Sequence, residues 1–178
     1  MKNFISFILL CCTFVLNAQE TFRVDSVVAV PNYDANQIFN AATKWLVTTI
    51  DPASANAVVS SDQNTLSATA KAVFKFEVNN LTWQAMSGHI SCTIDLSARD
   101  GRFKIRFSDF VHDAARPGWD EGMIYKEIPD DRNKGLAGKQ HREVYKRAKE
   151  AINDWTLQQI NALTQYIKSF SNLQEENW

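Results

Sequence analysis

The chain reads as one α+β domain: a two-layer sandwich in which a helix after the first strand and a long C-terminal helix cover one face of a twisted antiparallel sheet. Three observations predict it. Between residues 66 and 107 apolar side chains recur at every second position, the period of strands with one buried and one wet face. Before and after that block the apolar spacing changes to three and four, the period of an amphipathic helix. The length is enough for one core of roughly 160 residues and too short for two comfortable domains. Hairpins with one apolar face need a covering layer, and two amphipathic helices need a surface to cover.

The elements follow in order. Residues 22–30 are rich in Val and end at Pro31, which reads as a strand. Asp34 is a good helix N-cap, and Gln37 completes a capping-box pattern. Ile38, Ala41, Ala42, Trp45, Leu46 and Thr49 then form one apolar helical face, closed by Asp51-Pro52, because proline disfavours helical geometry in the residue before it. Residues 57–60 form a short apolar strand and 61–64 a turn. Leu66, Ala68, Ala70, Ala72, Phe74, Phe76 and Val78 alternate with Ser67, Thr69, Lys71, Lys75 and Glu77, the clearest strand in the chain. Asn79-Asn80 turns it.

The next strand points Met86, Ile90, Cys92, Ile94, Leu96 and Ala98 one way, and His89, Ser91, Thr93 and Asp95 the other. Arg99-Asp100-Gly101 predicts a hairpin. The strand after it turns Phe103, Ile105 and Phe107 inward and Arg102, Lys104 and Arg106 outward. Alternation breaks at 109–111, the mark of a bulge or of the strand's end. Residues 112–137 contain three Gly, two Pro and many charges. They read as a long surface loop with a short strand at 123–128, and loops of that length are often functional. The C-terminal helix occupies about 139–171. Val144, Ala148, Ile152, Trp155, Gln159, Leu163, Ile167 and Phe170 share its face, widened by Tyr145 and Ile160. From 139 to 170 it is about 48 Å long, enough to lie across the sheet and overhang it.

The N-terminus is expected to direct export. Lys2 precedes an uncharged apolar run over residues 4–16, and Asn17-Ala18-Gln19 offers a small residue at the cleavage position. That layout predicts a signal peptide over 1–18 and a mature domain over 19–178, periplasmic or extracellular. The run is too short to span a bilayer, so no transmembrane segment is expected after cleavage. Cys11 and Cys12 sit inside the apolar run without a lipoprotein lead-in. Removing residues 1–18 takes away one basic residue, leaving 18 basic against 20 acidic, a net charge of −2. That balance exerts no long-range pull on nucleic acid, and none is expected as a partner. Cys92 then stands alone, so no internal disulfide can form. Its apolar neighbours mark it as a buried core residue.

Two segments carry a family resemblance. One runs from Val24-Asp25-Ser26-Val27 to Ile38-Phe39-Asn40-Ala41-Ala42-Thr43-Lys44-Trp45-Leu46. The other is Asp100-Gly101-Arg102-Phe103-Lys104-Ile105-Arg106-Phe107-Ser108-Asp109-Phe110. With the N-terminal leader they resemble the exported Bacteroidetes proteins carrying the DUF4468 domain, over about residues 24–113. The resemblance implies a TBP-like fold and an exported location. It implies no activity and carries over no functional residue, and a fold name does not imply DNA binding.

Candidate sites are few. Asp109, His112 and Asp113, with Asp120 and Glu121 further on, could supply carboxylate and imidazole metal ligands, but their spacing matches no established pattern and a polar loop accounts for them as well. Arg102, Lys104 and Arg106 share a strand face with Lys71 and Lys75. They could meet an anionic polysaccharide or lipid head group, or form an ordinary wet face with Glu77 and Asp95 as counter-charges. His89 and His141 read as exposed residues. Trp155 and Phe170 could roof a cavity for an apolar ligand or fill a dry core. Hydrolase, paired-cysteine, zinc-protease and phosphate-loop motifs are all missing. No catalytic residue, metal site or cofactor is assigned. The leading expectation is a non-enzymatic binding or interaction module of the cell envelope, with an unknown protein partner. A carrier of a small apolar ligand is the alternative, and an envelope hydrolase a third reading that rests on location alone.

Overall fold

The computed structural model describes residues 19–50, 58–78, 84–130 and 135–175. The signal-peptide segment, Asp51-Pro52 and Asn79-Asn80 lie outside the described residues. Six strands form one antiparallel sheet: β1 (Val24–Ala29), β2 (Val58–Asp62), β3 (Ser67–Phe76), β4 (Gly88–Arg99), β5 (Arg102–Ala114) and β6 (Gly122–Met123). The order is β1-β5-β4-β3-β2, and β6 joins the far end of β5. Helix α1 (Ala35–Trp45) follows β1, and α2 (Gly135–Glu175) is the last described element. This is the expected α+β arrangement.

The helices form where the local chemistry allows. The Asp34 carboxylate accepts from the Gln37 N–H, and the Gln37 side chain accepts from the Asp34 N–H, a complete capping box. The Asp100 carboxylate, across the fold in the β4–β5 turn, accepts from the Ala35 N–H at 2.9 Å. The first turn of α1 is therefore tied to the hairpin tip. Ile38, Phe39, Ala41, Ala42 and Trp45 bury its inner face. The last turn widens to π-helical geometry over Leu46–Ile50 and keeps both of those residues buried. α2 runs for 41 residues, about 60 Å, longer than the periodicity predicts. Val144, Tyr145, Ala148, Ile152, Leu163 and Ile167 are buried along it, and it packs against α1, β1 and β5. Lys44 lies 5.2 Å from the centre of the Phe170 ring. Among the described residues no helix is long and apolar enough to cross a membrane.

Alternation holds through the central strands. Ile90, Cys92, Ile94, Leu96, Phe103, Ile105 and Phe107 are buried on the helix side, each large side chain worth ~1.5–3 kcal/mol of burial. Cys92 is the core residue expected, and desolvation raises its thiol to about 12. The edges shift. β2 extends to Asp62, so the turn falls at residues 63–66, where Leu66 has φ 50°. Met86 sits in a short 3-10 turn before β4.

The largest departure concerns β5. It does not end where alternation breaks. Asp109 adopts φ 53° and the register with β4 slips between Ser91 and Thr93, a bulge that admits one extra residue. The strand continues to Ala114 with its phase moved by one, so Phe110 and His112 face the core. The predicted surface loop therefore begins as sheet. Its later part is anchored too. Ile124 is buried, its N–H donates to the Phe110 carbonyl at 2.7 Å, and Phe22 and Lys126 exchange backbone bonds with Ile124 and Glu20. Tyr145 and Lys149 of α2 hold Tyr125 and Lys126 from above.

Candidate functional site

Two places in this fold bring polar groups together. The first is the sheet face away from the helices. Because strand side chains alternate, the buried set on one side forces a complementary set outward on the other. Register lines these up in rows. One row crosses the sheet as Asp25, Arg106, Asp95 and Thr69. Arg106 Nε donates to Asp25 at 2.7 Å, and Thr69 donates to Asp95 at 2.8 Å. The Arg106 hydrogen bond holds the Asp25 carboxyl below its ordinary value against the cost of desolvation, helped by the charges of Arg106, Arg23 and Lys104. In this row two carboxylates flank one guanidinium, so Arg106 is answered from both sides. Lys75 likewise pairs with Glu77 at 2.5 Å. The wet-face reading describes this part of the surface, with Asp25 and Asp95 as the cross-strand counter-charges of Arg106, while Glu77 pairs with Lys75 along its own segment.

The rows nearer the β4–β5 turn differ. Lys104 is flanked in register by Val27 and Ser97, and Arg102 by Ala29 and Arg99. Arg99, Arg102 and Lys104 are all exposed, and among the described residues none makes an ion pair. Val27 is 63% exposed beside them. A depression of about 240 Å³ lies here, lined by Val27, Ser97, Arg99, Arg102 and Lys104. A second, of about 290 Å³, adjoins it through Ser97 and Lys104 and reaches Thr69, Asp95 and Arg106. Arg99 was not singled out from the sequence. Its signal was its place two residues before Gly101 in a tight hairpin, which sets it opposite Arg102.

The second place lies where the 112–130 segment meets α2. His112 is 1% exposed. Its Nδ1 accepts from the Glu121 N–H at 3.1 Å, so its Nε2–H donates to the Met86 carbonyl at 2.9 Å. The ring is therefore neutral. Burial lowers its pKa, against the Met86 hydrogen bond and the charges of Glu121, Asp120 and Asp113, which raise it. The Glu121 side chain is fully buried, and His141 Nδ1–H donates to its Oε1 at 2.7 Å. Asp120 accepts from the Ala114 N–H at 2.8 Å, and backbone hydrogen bonds hold its carboxyl below the ordinary value. A shallow depression of about 350 Å³ lies alongside, lined by Gly118, Asp120, Gly122 and His141.

These contacts revise the sequence expectations. His141 is not an ordinary exposed residue; it clasps a buried carboxylate. The signal was present, since His141 precedes Val144, Tyr145 and Ala148 at helical spacing on the buried face. His112 is a core residue with both ring nitrogens committed to backbone. Asp109 and Asp113 are exposed, Asp113 lying opposite exposed His89. Among the described residues no three of His, Cys, Asp and Glu come together as a metal-holding group. Beneath α2, Trp155 occupies part of the space where the carrier reading expects a cavity. Trp155 stacks on Phe74 with ring centres 4.5 Å apart and meets Phe107 edge-on at 5.7 Å.

The family comparison agrees with this architecture. The profile of the DUF4468 family, a domain of unknown function with TBP-like fold, matches residues 25–113. A TBP-like protein from Parabacteroides distasonis superimposes with a TM-score of 0.48 at 14% identity, covering 82% of this chain and 93% of its own. A DUF4468 family protein from Bacteroides ovatus does so with a TM-score of 0.44 at 13% identity, covering 77% of this chain and 85% of its own. No curated protein matches.

Proposed function

We propose, of a chain that belongs to the DUF4468 family and has its TBP-like fold, that it is a binding module whose recognition surface is the open face of its sheet. The observation that carries this is the outer sheet face, which no element among the described residues covers. Both helices pack on one side of the sheet, and the other presents adjoining depressions among exposed polar side chains. The signal-peptide pattern of residues 1–18 supports a working place in the cell envelope or outside the cell. Trp155, packed against Phe74 and Phe107, weighs against an apolar ligand carried beneath α2.

Amide NMR of residues 19–178, with and without detergent-solubilised envelope extract, tests the reading. Perturbed resonances should map to the outward residues of β3, β4 and β5. Perturbation confined to α2 or to the His141 depression would overturn it. Fusing residues 1–30 to a reporter active only after export tests the location; a reporter retained in the cytoplasm would refute it.

A further inference from the structure

We propose that Arg99, Arg102 and Lys104 form a binding site for a phosphate group, with Ser97 and Val27 completing its surround. The inference rests on the open face being the recognition surface and names the ligand class it takes there.

The starting point is an arrangement that works against the fold. Arg99 and Arg102 are directly opposite in the β4–β5 register, and like charges so placed destabilise a sheet. A sheet built for stability alone would answer them with a carboxylate. The nearby carboxylates are committed elsewhere. Asp100, between the two arginines in sequence, turns to the Ala35 N–H at the start of α1. Asp25 is held by Arg106 at 2.7 Å and Arg23 at 3.3 Å. Asp95 accepts from Thr69. Lys104, two residues along β5 from Arg102, extends the same charge with Val27 and Ser97 as its register neighbours.

The spacing suits one ligand group. Opposed strand positions lie ~5 Å apart, and alternate residues along a strand ~7 Å apart. Three cations at those separations surround a single tetrahedral oxyanion or a diphosphate. Two guanidinium forks match phosphate oxygens in bidentate fashion, and Lys adds a point charge. The 240 Å³ depression supplies room, Ser97 a hydroxyl donor, and exposed Val27 an apolar contact for the carbon skeleton carrying the phosphate.

Inorganic pyrophosphate titrated into residues 19–178 at low ionic strength is the test, read from the Arg99 and Arg102 side-chain Nε resonances. Both should shift and saturate. An Arg99→Ser/Arg102→Ser double variant should weaken binding roughly tenfold or more, while Lys146→Ser, exposed on α2 and off the recognition face, leaves it unchanged. Arg102→Ser without ligand should melt at the wild-type temperature or above it, since it relieves repulsion. A lower melting temperature would make the arginine pair structural and overturn the proposal. So would saturation without Arg shifts, or equal loss in Lys146→Ser. Vesicles containing phosphatidylglycerol separate the sources: sedimentation that depends on Arg99 and Arg102 assigns a lipid headgroup, and pyrophosphate binding without sedimentation assigns a free or polymer-borne phosphate. If pyrophosphate fails to bind while envelope extract still perturbs the outer face, the ligand class falls and the recognition surface stands.

Discussion

Replacing His112 by phenylalanine keeps a ring of similar size beside Phe76, whose centre lies 5.3 Å away, and removes two hydrogen bonds. The Met86 carbonyl loses its donor and the Glu121 N–H loses its acceptor. Losing a partner at a buried backbone group costs ~1–3 kcal/mol, so the expected destabilisation at pH 7.5 is about 2–5 kcal/mol. The same residue sets a pH dependence. Burial depresses the folded-state pKa of His112 below its ordinary 6.5. As pH falls through 6.5 the unfolded chain takes up a proton that the folded chain refuses. Stability therefore falls with acid, by at most ~1.4 kcal/mol per pH unit, until the folded pKa is reached. Asp25 and Asp120, whose folded pKa values are also depressed, lose their contributions only lower, as pH falls through the carboxylate range. Urea unfolding followed by tryptophan fluorescence at pH 7.5, 6.5 and 5.5 reads both effects. The variant retains every other titratable group, so the difference in slope between the two proteins belongs to His112. Equal slopes, or a loss under ~1 kcal/mol at pH 7.5, would refute the buried neutral histidine.

Three further perturbations test other parts of the fold. A methyl group at Gly88 would lie 2.0 Å from the Asp113 carbonyl oxygen and 2.8 Å from Ala114 Cα. Since both are backbone atoms of the paired strand, Gly88→Ala should cost ~1–3 kcal/mol or more, read as a fall in melting temperature; an unchanged value would contradict the β4–β5 register. The Cys92 thiol, raised to about 12 by burial, should ignore Ellman's reagent at pH 8 in the native protein and react at once in guanidinium; rapid native reaction would place it at the surface. Asp100→Ala removes the bond from the Ala35 N–H and should cost about 1 kcal/mol by thermal denaturation. Full stability would show that α1 does not depend on the hairpin tip.

The strands from Ser67 to Phe107 and both helices were legible in the sequence because each is specified by short-range periodicity. A strand with one buried face must alternate, and an amphipathic helix must repeat at three and four. The Asp34–Gln37 capping box and the buried Cys92 were legible for the same reason: neighbours within a few residues decide them. The Asp109 bulge could be suspected from broken alternation, but not its consequence. Whether β5 ends or resumes in the opposite phase depends on β4 and β6 offering hydrogen-bond partners, and only the assembled sheet shows that they do. His112 and Glu121 consequently looked like loop residues, and their clasp with His141 joins positions brought together by the sheet edge and α2. The basic site shows the same division. That Arg102, Lys104 and Arg106 share a face follows from the residue order alone, because the strand period is two. That Arg106 is neutralised by Asp25 of β1 while Arg102 faces Arg99 emerges on folding, since cross-strand register and the turning of Asp100 toward α1 are properties of the packed chain.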